Sequence, residues 1–559
     1  MCGLAGWTSL PRSAPPDAVL GEMAGALAQR NRGAPLVGVI DCDARRHVGL
    51  AASHADAVSR ISLALDGSLA NFQEIRKELE KRGYRFASNS HEELLLRAYQ
   101  HWDKDVAKHL LGAFAFAIWD ARKERLLLAR DRFGEKPLYL HEKAGGLFFA
   151  SEAKALLEVP GAGGRVDAGA LWDCLAARYV PGPRTLFEGI RKLAPGTYVT
   201  WQLGRLQEVR YWFPPDRQAF SGKGAEDTEE QFSAHLQEAI RLRAGGGVLL
   251  SGGIDSAAMV AVLAANGASV RTFTFGVEGD AKSELAGAAA IAKHFGTQHR
   301  EIVLSAKDLV PGLERMIAAR DAPVARPSEL AVHALVAQAG REAGVLLSGD
   351  GCDEILGGYR SLILPSYARW EMNRNRDEIR KISTSKGGEG QDPKQPPYDA
   401  DPNASELRRR LYFRQARPLP DELLERADRA AVLAGVEVRM PYLDHRLAEY
   451  VSSLPDERRV SGFATKRILR EAARRLLPPG LGPLKKGGFR IPIRDWLRND
   501  LRDTLLEHLA GGSSLTRKHY DAAKLDRMLD EHARGKNDWS RPLWTLLNLE
   551  IWHRRYARG

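Results

Sequence analysis

Residues 251–256 read Ser-Gly-Gly-Ile-Asp-Ser, and this stretch constrains the possible folds of the chain more than any other. The apolar run 248–250 before it predicts the end of a buried strand, and the Ala-rich run 257–265 after it predicts a helix. Glycines let the backbone approach a ligand closely, and the first amides of a helix point at whatever binds there. The stretch therefore predicts an anion-binding loop between a strand and a helix.

The polar residues of this loop suit a pyrophosphate. Ser251 and Ser256 offer hydroxyls, Gly252 and Gly253 leave room for the backbone, and these four are candidate nucleotide ligands. Asp255 is a candidate ligand for the Mg2+ that accompanies pyrophosphate. No lysine follows the glycines, so this is not the G-x-x-x-x-G-K-S/T phosphate loop. The motif resembles the loop of ATP pyrophosphatases, which cleave ATP between the α and β phosphates; a plain glycine turn is the alternative.

A second glycine loop follows the apolar run 345–347 and reads Ser-Gly-Asp-Gly-Cys-Asp-Glu over residues 348–354. So many carboxylates in one loop are costly unless a cation lies among them, which favours a metal site over a solvated loop. Strand-like runs at 270–276 and 301–303 alternate with helical segments. Nearly all-apolar strands that alternate with helices predict an α/β doubly wound parallel sheet, which binds ligands beyond the carboxyl ends of its strands.

The N-terminus supplies a second candidate centre. Cys2 follows the initiator methionine directly, so removal of Met1 leaves a thiol and an α-amine on one residue. An α-amine titrates at about pH 8 and can act as the base for its own nucleophile. Apolar runs at 112–119 and 125–130 predict a hairpin within a strand-rich, helix-flanked α+β domain. A buried small hydrophobe is the alternative role for Cys2.

Several separate segments resemble asparagine synthetase of the glutamine-hydrolysing type, namely residues 1–7, 129–139, 151–154, 188–198 and 251–256. The resemblance runs over nearly the whole chain, with the motifs in the right order. It implies an N-terminal-nucleophile (Ntn) glutaminase domain of αββα layers at residues 1–213 and a linker at 214–229. It also implies an ATP-pyrophosphatase domain, adenine nucleotide α-hydrolase-like in fold, at residues 230–559. ATP and Mg2+ are the implied cofactors.

The resemblance implies a nucleotide site made by Leu249 and Phe275 at the adenine, Ser348 and Gly349 at the AMP, and Asp353 with Asp255 at Mg2+. Asp350 stands at a family carboxylate needed for adenylate formation and for attack by ammonia. Glu437 is a further catalytic candidate in a run that resembles E-x-R-x-P-F/Y-L-D, where pairing with Arg439 is the alternative. A Lys-Lys-Gly-Gly-Phe run favours Lys486 as the lysine at the phosphate, with Lys485 as the alternative.

The glutamine pocket departs from the family pattern. The family's N-G-E, whose Asn helps to form the oxyanion hole, reads Asp66-Gly67-Ser68. Its S-D-T-E, whose Asp takes the glutamine ammonium, has His91 in place of that Asp. An anionic Asp66 would repel a developing oxyanion, and loss of one hydrogen-bond donor there typically costs about 10²–10³ in rate. Glu92 or Glu93 could replace the missing carboxylate.

Composition limits the remaining partners. The net charge of +11 suits an anionic substrate such as ATP, and the scattered arginines do not favour a nucleic-acid partner. No apolar run is long enough for a transmembrane helix, and no secretion signal is present. Four scattered cysteines without metal-ligand spacing predict a reducing, cytoplasmic location. The polar, Gly/Pro-rich segment 381–403 predicts a disordered insertion.

These features predict a ligase that activates a carboxylate, first of all aspartate, as an acyl-adenylate and then joins it to ammonia from glutamine. One alternative is a family member without glutaminase activity that forms an intramolecular amide, of the lasso-peptide or β-lactam type, with a precursor peptide as partner. Another is an RNA-modifying pyrophosphatase, for which no RNA-binding module is visible. Segment 321–328 resembles a family region near the acyl substrate, but its residues do not identify aspartate as that substrate. The acceptor and the oligomeric state stay open, with a homodimer as one alternative.

Overall fold

The computed structural model describes residues 3–8, 15–30, 37–43, 46–52, 54–56, 58–143, 145–214, 225–278, 284–362, 404–477, 491–510, 514, 516–517 and 521–557. The chain divides into two compact units. Unit 1 comprises Met1–Val166, Gly182–Phe213 and Arg558–Gly559, and unit 2 comprises Asp167–Pro181 and Pro214–Ala557. Among the described residues, none of the helices combines the length and the apolarity needed to cross a membrane.

Two boundaries differ from those expected. Asp167–Pro181 was expected in the first domain but belongs to unit 2, where Tyr179 is buried beside the carboxylate of Glu422. A helix at Ala225–Arg243 begins inside the expected linker 214–229. The segment was interpreted as a linker because it is polar and contains glycine, but the acidic residues at its end also suit the first turn of a helix.

The described part of unit 1 contains two six-stranded antiparallel sheets. Their strands are β1 (Ala5–Trp7), β2 (Val37–Asp43), β3 (Arg46–Ala52), β4 (His54–Asp56), β5 (Ile61–Leu69), β6 (Gly112–Asp120), β7 (Arg125–Arg130), β8 (Tyr139–Lys143), β9 (Gly146–Ala150), β10 (Ile190–Lys192), β11 (Thr197–Gln202) and β12 (Arg205–Arg210). The first sheet has the order β10-β8-β9-β1-β3-β2, and the second has the order β12-β11-β7-β6-β5-β4. The predicted hairpin is confirmed as β6 and β7.

Helices cover the outer faces of these sheets. They are α1 (Pro16–Ala26), α2 (Phe72–Lys81), α3 (His91–Trp102), α4 (Val106–His109) and α5 (Ala153–Leu157). One apolar core lies between the sheets and joins Phe149 of β9 to Trp119 of β6. A second core lies between the second sheet and α2 and α3, where Phe116 packs with Leu79 and Leu95. Since α1 and α5 contact the first sheet, the layers follow the order helix, sheet, sheet, helix.

The described part of unit 2 is built on a five-stranded sheet whose neighbouring strands are all parallel. The strands are β13 (Gly247–Leu249), β14 (Arg271–Val277), β15 (Gln298–Leu304), β16 (Val345–Leu347) and β17 (Glu437–Arg439). Their order is β15-β14-β13-β16-β17, so the chain builds outward from β13 and then returns to its other side. The loops that follow β13 and β16 therefore leave the same edge of the sheet side by side. Open parallel sheets bind ligands where the strand order reverses in this way.

The helices described in unit 2 are α6 (Ala168–Ala177), α7 (Ala225–Arg243), α8 (Ile254–Ala265), α9 (Leu285–His294), α10 (Ala306–Leu309), α11 (Gly312–Arg320), α12 (Ser328–Ala339), α13 (Cys352–Leu356), α14 (Glu406–Ala416), α15 (Glu425–Ala434), α16 (His445–Ser453), α17 (Asp456–Arg459), α18 (Arg467–Leu476), α19 (Ile493–Arg498), α20 (Arg502–Leu509), α21 (Ala522–Ala533) and α22 (Ser540–Tyr556). Helix α8 is apolar on almost every side and is buried from Asp255 to Leu263. A helix that is apolar all round belongs in the interior. This burial holds the turn between β13 and α8 in place.

Candidate active site

The turn between β13 and α8 is held by its own serines. The hydroxyl of Ser256 accepts a hydrogen bond from the Ser251 amide (3.0 Å) and donates one to the Ser251 carbonyl (3.0 Å). The helix begins at Ile254, three residues earlier than expected, because the turn closes directly after the glycines. Its N-cap is Gly253, which has no side chain to fill this end of the helix. Asp255 and Ser256 thus lie in the first turn, where an anion is stabilised.

Glycines bring the two predicted loops into contact. A Cβ on Gly349 would lie 3.3 Å from the Cβ of Asp255, so the second loop passes directly over the first turn of α8. A Cβ on Gly252 would lie 3.3 Å from the carbonyl oxygen of Glu284, at the start of α9. Gly351 has a φ of +88°, and a Cβ there would lie 2.3 Å from Leu443. The two loops therefore lie in contact, and this close packing explains why glycine occupies these positions.

The two carboxylates predicted to bind Mg2+ converge on one side chain, that of Lys466. Its Nζ lies 2.6 Å from both carboxylate oxygens of Asp255 and also pairs with Asp353. Lys466 is 3% exposed and precedes α18 with a left-handed φ of 52°. Sequence reasoning missed this lysine. The only available signal was indirect, because buried carboxylates require a cation.

Asp255 and Asp353 fit a Mg2+ ion. Proteins usually hold Mg2+ through one or two carboxylates, and phosphate oxygens and waters complete the shell. The ammonium of Lys466 marks a point that both carboxylates reach. In the described part of the chain, no group of three or more His, Cys, Asp or Glu side chains is placed to hold a metal ion. Asp255 and Asp353 could hold the ion together with phosphate and water.

The remaining nucleotide candidates lie around the same edge. Leu249 is half-buried at the end of β13, and Phe275 is buried in the neighbouring strand β14. Ser348 donates a 2.9 Å hydrogen bond to Asp350. The other oxygen of Asp350 accepts a 3.0 Å hydrogen bond from Arg426 of α15. Arg426 is a buried partner that the sequence did not predict.

Glu437 is paired with Arg439 at 2.8 Å, which is the alternative that the sequence left open. In the register of the sheet, Glu437 lies opposite Val345 and Arg439 opposite Leu347. The second glycine loop follows Leu347, so Glu437 lies two residues, about 7 Å, before the edge that carries the loops. Its catalytic role stays a prediction. Cys2, Lys485, Lys486 and segment 381–403 lie outside the described residues.

In unit 1, Asp66 belongs to a fully buried ionic network. Its Oδ2 accepts hydrogen bonds from the guanidinium of Arg30 (2.8 Å) and from the hydroxyl of Ser151 (3.1 Å). Arg30 also donates to Glu152 (3.1 Å). Ser151 in turn accepts from the amide of Leu4, next to β1 (3.1 Å). The network therefore connects Asp66 to the strand that follows the N-terminus, and Arg30 neutralises the charge of Asp66.

The other glutamine-site candidates lie close to Asp66. Gly67 has a φ of +121°, and a Cβ there would lie 2.0 Å from the carbonyl oxygen of Ala113. Ser68 follows it in β5. The amide of the next residue, Leu69, donates a 3.3 Å hydrogen bond to Nδ1 of His91. The structure thus brings together Asp66, Gly67, Ser68 and His91 on one strand and the helix beside it.

Glu93 was considered as a replacement for the missing carboxylate. It accepts hydrogen bonds from the amides of Ala87 (2.8 Å) and Ser88 (2.6 Å) and from the Ser88 hydroxyl (2.7 Å). Burial raises the pKa of Glu93, but these hydrogen bonds outweigh burial, so its net pKa is lowered. Both oxygens are therefore engaged in holding the loop before α3.

Helix α22 fixes the segment expected near the acyl substrate. The indole N–H groups of Trp544 and Trp552 donate to the carbonyls of Val324 (3.1 Å) and Asp321 (2.8 Å). The side-chain oxygen of Asn548 accepts from the amide of Val324 (3.3 Å). Buried backbone groups need such partners. The C-terminal helix therefore sets the position of this segment.

Two family models match the chain, and they divide it near residue 220. The model described as asparagine synthase matches residues 229–554, and the model described as a glutamine amidotransferase domain matches residues 1–212. The first of these spans more than half of the chain.

Curated relatives match over most of their length. A putative glutamine-hydrolyzing asparagine synthetase of Mycobacterium tuberculosis (strain ATCC 25618 / H37Rv) is 31% identical, over 96% of this chain and 90% of the relative. Glutamine-hydrolyzing asparagine synthetase 1 of Bacillus subtilis (strain 168) is 28% identical, over 88% and 85%. Glutamine-hydrolyzing asparagine synthetase B of Escherichia coli (strain K12) is 27% identical, over 76% and 69%. The chain therefore belongs to the asparagine synthetase family of ATP-dependent, glutamine-hydrolysing ligases.

Proposed function

We propose that this protein forms an amide by activating a carboxylate, with aspartate as the first candidate, and joining it to ammonia released from glutamine. The carboxylate attacks the α-phosphate of ATP to give an acyl-adenylate and pyrophosphate, and ammonia then displaces AMP. The convergence of Asp255 and Asp353 on one cation position, between two glycine loops, carries this proposal. The order of the parallel strands supports a doubly wound sheet of the adenine nucleotide α-hydrolase type.

The groups at this edge have complementary tasks in the first step. The hydroxyls of Ser251 and Ser256 and the first amides of α8 would bind the phosphates that leave as pyrophosphate. Asp255 and Asp353 would hold Mg2+, whose charge offsets that of the departing group. Lys486 is proposed to add positive charge at the phosphates. Leu249, Phe275, Ser348 and Gly349 are proposed to bind the adenosine and the AMP phosphate.

Asp350 is proposed to serve the second step, in which ammonia attacks the activated carbonyl. Attack leaves a positive charge on nitrogen, and a fixed carboxylate can stabilise that charge and accept a proton. Hydrogen bonds from Ser348 and Arg426 hold the two oxygens of Asp350. Glu437 is a further candidate for this proton transfer, although its carboxylate is paired with Arg439.

Unit 1 is proposed to release ammonia from glutamine, with Cys2 as the nucleophile. The charge of Asp66 was the main objection from the sequence, and its 2.8 Å contact with Arg30 weakens that objection. Asp66 and His91, which differ from the family pattern in the glutamine pocket, still favour the alternative of a family member without glutaminase activity. The names of the relatives do not favour that alternative.

The decisive experiment measures AMP formation from ATP and aspartate, with either glutamine or ammonium as the nitrogen source. Cys2→Ala should abolish only the glutamine-dependent reaction, and Asp255→Asn should abolish both. Asp227→Asn, on the exposed face of α7, is the matched control and should change neither. Activity of the wild-type protein with ammonium alone would refute the glutaminase. No AMP with aspartate under either source would refute aspartate as the acceptor.

A further inference from the structure

Lys466 occupies the position at which Asp255 and Asp353 can share a cation. Its ammonium lies at hydrogen-bond distance from both oxygens of Asp255, so an ion bound between these two oxygens would have to displace it. The side chains of Lys466 and Asp255 are both almost fully buried. An ammonium and a directly coordinated Mg2+ cannot occupy this position together, because their like charges would lie within a few ångströms at low dielectric.

We infer that Lys466 is the resident counter-ion of these carboxylates and competes directly with the metal, so that Mg2+ binds only when the ammonium swings away. The inference depends on the proposed metal role of Asp255 and Asp353. Competition lowers the affinity for the free ion, because each binding event must also release an ion pair. A bound phosphate group offsets this loss of metal affinity, because it gives the displaced ammonium a new anionic partner. The site therefore selects the metal–phosphate complex over the bare metal.

The surrounding backbone holds the main chain and the stem of Lys466. Lys466 holds a left-handed φ of 52°, which costs a residue with a side chain on the order of 1 kcal/mol. A Cβ on Gly358 would lie 2.1 Å from Cε of Lys466, so the chain closes over the lysine stem. Rotation about the terminal bonds is the remaining freedom. Asp255 belongs to the first turn of α8, so phosphates bound at this turn would be neighbours of the displaced ammonium.

The test is a titration of the full-length protein with Mn2+, in which free Mn2+ is followed by its EPR signal without nucleotide. Lys466→Met removes the competing charge and should bind Mn2+ about tenfold more tightly than the wild type. Lys293→Met, at an exposed position of α9, is the matched control and should bind as the wild type does. Inorganic pyrophosphate should tighten Mn2+ binding more in the wild type than in Lys466→Met.

Lys466→Gln gives an independent comparison, because it keeps a hydrogen-bond donor at this position without the charge. Circular dichroism of each variant checks that it is folded. Equal Mn2+ affinity in the wild type and both variants, with binding lost in Asp255→Asn, would overturn the competition and leave the metal role standing. No Mn2+ binding by any form, with or without pyrophosphate, would instead overturn the metal role itself.

Discussion

The phenol of Tyr442 donates a 2.8 Å hydrogen bond to the main-chain carbonyl of Asp255 and joins segments 187 positions apart. Tyr442 is fully buried, and burial together with nearby anionic groups raises its pKa well above the usual value. The phenol is therefore protonated, and so a donor, at neutral pH. This bond fixes the first turn of α8, which carries one of the two proposed metal ligands.

Tyr442→Phe tests the contribution of this bond, because it removes only the hydroxyl. A hydrogen bond of this kind contributes about 0.5–1.5 kcal/mol, so the free energy of unfolding should fall by that amount. The KM for Mg-ATP should rise because Asp255 loses its fixed orientation. Urea unfolding and steady-state kinetics measure the two effects. Tyr450→Phe removes a hydroxyl that donates to Thr228 at the same 2.8 Å distance, and it should leave the KM unchanged.

The features predicted correctly from the sequence are local ones. The strands of the hairpin formed by β6 and β7 match the two apolar runs, because a continuous apolar run and a polar turn are properties of neighbouring residues. The strand expected at 270–276 is β14, Arg271–Val277. The two glycine loops follow β13 and β16 as expected, since each comes directly after a short apolar run.

The ionic partners could not be predicted in the same way. Lys466 meets Asp255 from 211 positions away, and Arg30 meets Asp66 from 36 positions away. The requirement that a buried carboxylate be paired predicts a cation but does not say which of the 82 lysines and arginines supplies it. Those pairings depend on the tertiary fold, and they determine the charge state of both candidate sites.

Arg30→Met should destabilise unit 1 strongly. The substitution leaves the carboxylates of Asp66 and Glu152 without their shared guanidinium, and all three side chains are at most 1% exposed. Breaking a buried ion pair by removing one partner costs about 3–5 kcal/mol. Urea unfolding gives the change in free energy. Arg82→Met removes an exposed pair with Glu78 and should cost less than about 1 kcal/mol; a similar cost for both variants would contradict the network's importance.

Arg426→Gln should slow the reaction with little effect on ATP binding. The buried guanidinium holds one oxygen of Asp350 at 3.0 Å, and a misplaced catalytic group can cost about 10²-fold in rate. We therefore expect a lower kcat and a nearly unchanged KM for ATP. Rapid-quench measurement of pyrophosphate and amide shows which step is slowed. Arg409→Gln, at an exposed position of α14, is the control, and an effect confined to KM would refute the positioning role.

Asp444→Asn should weaken the dependence of the free energy of unfolding on pH in the acid range. Burial raises the pKa of Asp444, but Arg243 and Arg446 outweigh it and hold the net pKa well below the usual value. The contribution of such a carboxylate is therefore present above its unfolded pKa of about 3.9 and is lost as the pH falls below that value.

An Asn at position 444 can still cap α16 through the amide of Arg446, because Asn is as good an N-cap as Asp. The substitution removes the charge opposite the buried Arg243, 2.9 Å away, and should cost about 3–5 kcal/mol at pH 7. The difference from the wild type should shrink as the pH is lowered from about 5 to about 2, because the unfolded wild-type chain takes up a proton at Asp444 that the folded protein does not. Urea unfolding at several pH values measures this convergence. A difference independent of pH would show that the charge of Asp444 is not what stabilises unit 2.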